Sequence, residues 1–174
     1  MTNQVNDAQF PIGKWTRPTV MDRAAWLESM RTMPARLTAL VETMTASQIE
    51  TPYRKESWTA RQVIHHIADS HMQAYGRTKM ALTEDTPKIK PYDEAEWAKL
   101  ADNAIPVGTS LALIEGLHLR WLALLDSLTE AQWQRAFRHP ATGDMTIELQ
   151  VSLYAWHSEH HFAHVRSVAE SVAV

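Results

Sequence analysis

Cysteine is absent from this chain of 174 residues, which removes disulfides, thiolate nucleophiles and cysteine-ligated zinc by inventory and leaves nitrogen and oxygen as donors for any metal site. Glycine is scarce, at 5 residues, and nowhere do apolar and polar residues alternate as a half-buried strand requires. No apolar run reaches the ~18 residues of a membrane-spanning helix. The opening "MTNQVNDAQFPIGKW" lacks both the basic-then-apolar order of a secretory leader and the arginine-rich character of a transit peptide, so a soluble, cytoplasmic protein is expected. Positive charge is not in excess either. The 17 Lys and Arg are outnumbered by 20 Asp and Glu and lie scattered through the chain, which argues against nucleic acid as a partner. With no linker, repeat or low-complexity segment, the length suits a single domain over residues 1–174.

What fills the chain is helical periodicity. Apolar positions recur at three and four residues through 22–45, where Pro34 is expected to bend or interrupt the helix, through 59–85 with Thr59 as a candidate cap, and through 109–128. Residues 129–137, "TEAQWQRAF", read as a short helix, 138–145 as a turn-rich loop, and a last long helix begins near Thr146. An excursion with one short helix lies between Pro87 and Pro106. Four long helices predict an all-α, antiparallel four-helix bundle with extra short helices, a fold that builds sites from facing side chains in its core.

Into the last helix the stretch "YAWHSEHHFAHV" puts His157, His160, His161 and His164, out of 9 histidines in the chain. On a helical wheel His157 and His161 fall among Ile147, Leu153, Tyr154, Val165 and Val168, while His160 lies toward the edge of that face. An i,i+4 histidine pair offers two imidazoles to one ion. The glutamate of a zincin motif is missing, since position 158 is serine. A lone inward histidine is more simply a hydrogen-bonded core residue, but several neutral imidazoles buried together leave many ring nitrogens in need of partners, a cost that a metal offsets.

A third ligand is available from "VIHHIADSH", residues 63–71. His65 points away from the apolar face of Val63, Ile64, Ile67 and Ala74 and is expected to be solvated, whereas His66 flanks that face and His71 sits on it. Periodicity does not choose between His66 and His71. Asp69 stands one turn beyond His66, placed either to orient its ring or to lie in solvent. His139 reads as a turn histidine that could border a pocket. His118, Arg120 and Trp121 share the third long helix, Trp121 as core packing and Arg120 as a surface ion pair or a recogniser of an anionic substrate group.

Taken in order and spacing, "SWTARQVIHHIADSHMQAYGRTKMALTEDTPKIKPYDE", "LHLRW", "FRHP", "LYAWHSEHHFAHV" and the opening "FPIG" resemble the YfiT branch of the DinB/YfiT superfamily over nearly the whole chain. The resemblance implies metal-dependent hydrolase chemistry, a four-helix bundle with an unusual connection, a cytoplasmic homodimer, and one divalent ion per subunit, Zn2+ or Ni2+, held by three histidines. Carried over by motif, the ligands are His66, which directly precedes the apolar-Ala-Asp step, and His157 with His161, so the resemblance selects His66 over His71. Glu159 departs from relatives that carry histidine there, at a position facing away from those ligands. Trp15, Trp97 and the methionines of the first helix are the apolar candidates for a dimer interface.

Three neutral histidines leave a coordination position open, the arrangement of a catalytic centre more than a structural one. The expected reaction is attack by metal-activated water on a carbonyl-like carbon of a small molecule, with the general base unidentified. Two rivals are an S-transferase activating a low-molecular-weight thiol of the bacillithiol type, and a non-catalytic metal-binding module.

Overall fold

The computed structural model describes residues 8–171; the first residues of the opening read above for a leader, 1–7, and residues 172–174 lie outside it. In chain order the elements are α1 (Arg23–Glu42), α2 (Ala46–Ile49), α3 (Ala60–Thr83), α4 (Glu94–Trp97), a 3-10 turn (Ala101–Ala104), α5 (Gly108–Asp126), α6 (Glu130–Trp133), β1 (Ala136–His139), β2 (Gly143–Thr146) and α7 (Ile147–Ala169). Helix starts follow local chemistry. Thr59 caps α3 in a reciprocal box with Gln62, and Thr146 caps α7 through the Leu149 N–H.

The four long helices form the expected bundle, but not a simple antiparallel one. Along α3 and α5 the contacts advance together, His65 with Ser110, His71 with His118 and Thr78 with Trp121, so these neighbours are parallel. Along α3 and α7 they run oppositely, His66 with His157 and Thr78 with Gln150. Helices α1 and α7 are parallel again, Arg23 meeting Glu148 and Arg36 meeting Glu159. Thus α1 and α7 point one way and α3 and α5 the other; α1 packs against α5 and α7, and α3 packs against the same two, closing a ring in which α1 faces α3 across the diagonal. A parallel α3–α5 pair requires the chain to travel back along the bundle. Residues 84–107 make that return, and Pro91, Tyr92 and Glu94 on it wall a cavity described below.

Two local expectations are corrected. Helix α1 continues through Pro34 without a break. Proline has no N–H for the carbonyl of Met30, one turn earlier, and that oxygen instead accepts from His118 Nδ1 at 2.7 Å, so α5 supplies the missing donor. Residues 129–145 are not a helix followed by a loop: α6 ends at Trp133 and an antiparallel hairpin pairs Ala136 with Thr146 and His139 with Gly143. Its turn needs Gly143 at φ 74, and its outer edge binds the return segment through Arg138 N–H to the Pro87 carbonyl (2.8 Å) and Ile89 N–H to the Arg138 carbonyl (3.1 Å). Strands of four residues carry too few positions for alternation to register in sequence.

The core divides along the bundle. Met30, Trp121, Leu125, Ile147 and Val151 pack at one end, and Met33, Leu37, Ile64, Ile67, Ile114 and Val165 at the other. Met30 and Met33 are therefore interior, which removes them from any dimer interface; Trp15 and Trp97 are partly buried. Ile114 is fully buried in the second of these clusters and is itself no candidate ligand, so Ile114→Val is expected to cost about 1 kcal/mol through one lost methyl. Urea unfolding checks this, and metal content should be unchanged. No helix among the described residues is long and apolar enough to cross a membrane.

Candidate metal centre

Where α3 and α7 cross, the ring nitrogens of His66, His157 and His161 come within 4.8 Å of one another. His66 Nε2 lies 3.3 Å from His157 Nε2. Two nitrogens at about 2.05 Å from a tetrahedral ion would be roughly 3.3 Å apart, so this spacing suits a shared cation. His160, His161 and His164 form a second group of the same spread on α7. Hydrogen-bond logic separates the two.

A main-chain carbonyl only accepts, which fixes the tautomer of whatever histidine donates to it. Met30 O takes the Nδ1 proton of His118, so His118 Nε2 is an acceptor and receives the Nδ1 proton of His71 at 2.7 Å. His71 Nε2 then accepts from His157 Nδ1 at 3.1 Å, which leaves His157 Nε2 without a proton, its lone pair turned toward His66 Nε2. A second relay starts at the Gln9 carbonyl. It receives His164 Nε2–H at 3.3 Å, His164 Nδ1 accepts from His161 Nδ1 at 3.3 Å, and His161 Nε2 is left bare. The first group thus presents two prepared lone pairs beside His66, while in the second group the facing nitrogens of His161 and His164 are spent on each other.

Burial keeps these rings neutral. His66 is held down to about 4 by burial and then by the neighbouring His160, and burial is the first cause that pushes His71, His157 and His161 well below the usual imidazole range. Neutral imidazoles are the form that binds metal.

The structure places the remaining candidates as follows. His65 is buried, not solvated: its Nε2 donates to the Ile105 carbonyl at 3.2 Å and its Nδ1 accepts from Ser110 Oγ at 2.7 Å, because the end of the return segment and the start of α5 cover that side of α3. His71 and His118 are the interior relay. His160 is buried, stacked on Trp156 at 4.4 Å between ring centroids, its Nδ1 lacking a partner among the described residues, and it borders the same cavity as His66. Asp69 makes no hydrogen bond to His66 and is half-buried, its carboxyl pushed up by burial. Arg120 is exposed over the Tyr75 ring, away from the cavity. His139, at the end of β1, does line it. Glu159 faces α1, accepting from Arg36 (2.7 Å) and Ser29 (2.9 Å).

That cavity, of about 450 Å³, opens onto the three histidines between Trp58 and Trp156, and Ser70, Arg77 and Tyr92 are among its wall residues that the sequence does not flag. His66, Ser70 and Arg77 lie on one stripe of α3, so the helical period could have grouped them, but only the return segment shows that the stripe faces a cavity.

A family model described as the DinB superfamily matches residues 29–165. The chain belongs to the DinB superfamily. A relative from Bacillus cereus (strain ATCC 10987 / NRS 248), named "Putative metal-dependent hydrolase", is 44% identical over 167 residues, covering 94% of this chain and 96% of its own. A Bacillus anthracis (strain A0248) protein of the same name is equally similar, at 44%. Among solved structures, YfiT from Bacillus subtilis, described as "a probable metal-dependent hydrolase with an unusual four-helix bundle topology", superposes with a TM-score of 0.89 at 46% identity over 94% of this chain and 96% of that one. Within the superfamily, then, this chain is of the YfiT type. The four-helix bundle protein TT2238 shares the fold alone, with a TM-score of 0.58 at 18% identity over 83% of this chain and 98% of that one.

Proposed function

We propose that His66, His157 and His161 hold one divalent cation, zinc or nickel, and that the protein is a metal-dependent hydrolase of small molecules. The observation that carries the reading is the pair of unprotonated Nε2 atoms on His157 and His161, each prepared by a relay anchored on a main-chain carbonyl and converging beside His66. The names of the YfiT-type relatives support the same class. A cation bound there supplies Lewis acidity toward a carbonyl oxygen and lowers the pKa of water. The chain's own residues do the rest. His71 and His164 hold the two α7 rings in one tautomer, Trp58 and Trp156 narrow the approach and exclude bulk water, and Ser70 offers a hydroxyl to substrate. The protein acts as a homodimer, its exposed Val20, Met21, Leu113 and Leu119 being available for the contact, and light scattering should give twice the chain mass.

The test is a screen of the metal-loaded protein against amides and esters, each with and without a small thiol. Metal-dependent hydrolysis inhibited by the thiol is the expected result, since the thiol competes for the open coordination position. Consumption of the thiol with an electrophile would replace hydrolysis by S-transfer. Full metal occupancy with neither reaction would leave a metal-binding module.

A further inference from the structure

Arg77 occupies the wall of the cavity with only 9% of its surface exposed, yet among the described residues it has no ion pair, hydrogen bond or aromatic partner. Its charge is felt by His139 and Tyr154, neither of which is an anion that could neutralise it. Among the described residues no lysine or second arginine shares the cavity wall, and the one carboxylate there, Glu94, is exposed and makes no ion pair with it. A guanidinium carries five donors in a planar fork, and none of Arg77's nitrogens is both sealed from solvent and unpartnered, so they open to the cavity, where an arriving anion meets no competing protein acceptor.

We propose that Arg77 is the binding site for a carboxylate on the substrate. A single positive charge with a planar fork matches a carboxylate in both charge and bidentate geometry, whereas a phosphate, near two negative charges, would call for further cations. The aromatic faces of Trp58, Tyr92 and Trp156 fit the apolar body of such a molecule. Distance sets its length. Arg77 stands three turns beyond His66 on the same stripe of α3, roughly 16 Å along the axis at 1.5 Å per residue, and its side chain leans back toward the helix start, so the carboxylate sits on the order of 10 Å from the histidines. The substrates are therefore small monocarboxylates whose reacting group is separated from the carboxylate by a spacer of several atoms. Calling the ligand a substrate rests on the hydrolase reading; the anion site itself does not.

Calorimetric titration with benzoate and its neutral twin benzamide tests this, using metal-loaded protein, His157→Ala, Arg77→Gln and Arg77→Lys, with circular dichroism confirming that each is folded. Benzoate is expected to bind at least tenfold more tightly than benzamide to both the wild type and His157→Ala. Arg77→Gln should abolish that preference, and Arg77→Lys, which keeps the charge but loses the fork, should retain part of it. Equal binding of benzoate and benzamide to the wild type overturns the proposal. So does benzoate binding that survives Arg77→Gln but disappears in His157→Ala, since the carboxylate would then be ligating the metal. Inorganic phosphate binding more tightly than benzoate in an Arg77-dependent way would overturn the carboxylate assignment. A protein that takes up no metal yet still binds benzoate through Arg77 would sink the hydrolase reading and leave the anion site standing.

Discussion

Replacing His157 by alanine is expected to lower metal content from roughly one ion per chain to below a tenth of that, because it removes one of the three nitrogens that share the ion. His66→Ala and His161→Ala should do the same. The contrast lies in the neighbours. His65→Ala removes a side chain bonded to Ser110 and Ile105 on the far side of α3, so it should lower stability while leaving the metal bound. His160→Ala should also keep the metal, since its Nδ1, unpartnered among the described residues, belongs to neither relay. His71→Phe keeps the ring volume but takes away the acceptor that holds the His157 proton on Nδ1, and a partner of this kind is typically worth 10–100-fold in metal affinity. Pro34→Ala acts at the far end of the same relay. It restores a helical N–H that competes with His118 for the Met30 carbonyl, and should weaken the metal severalfold without touching a ligand. Metal analysis of the purified variants, paired with competition against a chelator, checks all of these; full occupancy in His157→Ala would move the site elsewhere.

Periodicity was enough to read the four long helices and the His157–His161 pair, because a buried helical face depends only on spacing along one element. It was not enough for anything decided between elements. His65 looked solvated because the wheel of α3 has an apolar side and an opposite side, and nothing local says that Ile105 and Ser110 cover the latter. His71 was visible as inward, but its role depends on His118 from α5 and on a carbonyl that Pro34 leaves free in α1, three elements that only the packed bundle brings together. Helix direction was likewise hidden: a connection as long as 84–107 permits either a parallel or an antiparallel neighbour, and it is the parallel choice that lays Tyr92 and Glu94 over the histidines. The sequence offers Arg120 as a recogniser of an anionic substrate group, whereas the arginine that is buried, and unpaired among the described residues, is Arg77.

The same burial that prepares the site makes the metal-free fold sensitive to acid. All 9 histidines have pKa values depressed, with burial the first cause in each. A depressed value means that, once pH falls below about 6.5, the unfolded chain binds protons that the folded chain refuses, so stability drops until the folded-state value is reached. For His66 that window runs from 6.5 down to about 4, and its full width corresponds to about 3–4 kcal/mol at ~1.4 kcal/mol per pKa unit. The clustered rings titrate as a unit and their losses do not simply add, yet two or three such increments rival the ~5–15 kcal/mol that holds a domain together. Acid unfolding of chelator-treated protein, followed by circular dichroism, is therefore expected between about pH 6 and 4, above the range in which Glu130, Asp144 and Glu159, whose pKa values their arginine partners depress, become protonated. Metal should move the transition downward, because it binds the folded site and not the unfolded chain. His118→Gln, which can still donate to the Met30 carbonyl but does not titrate, should reduce the slope of stability against pH by up to about 1.4 kcal/mol per pH unit, one proton's worth. A metal-free protein whose stability is flat from pH 7 to 4 would show that these imidazoles are not buried in neutral form, and the relays that prepare His157 and His161 would lose their basis.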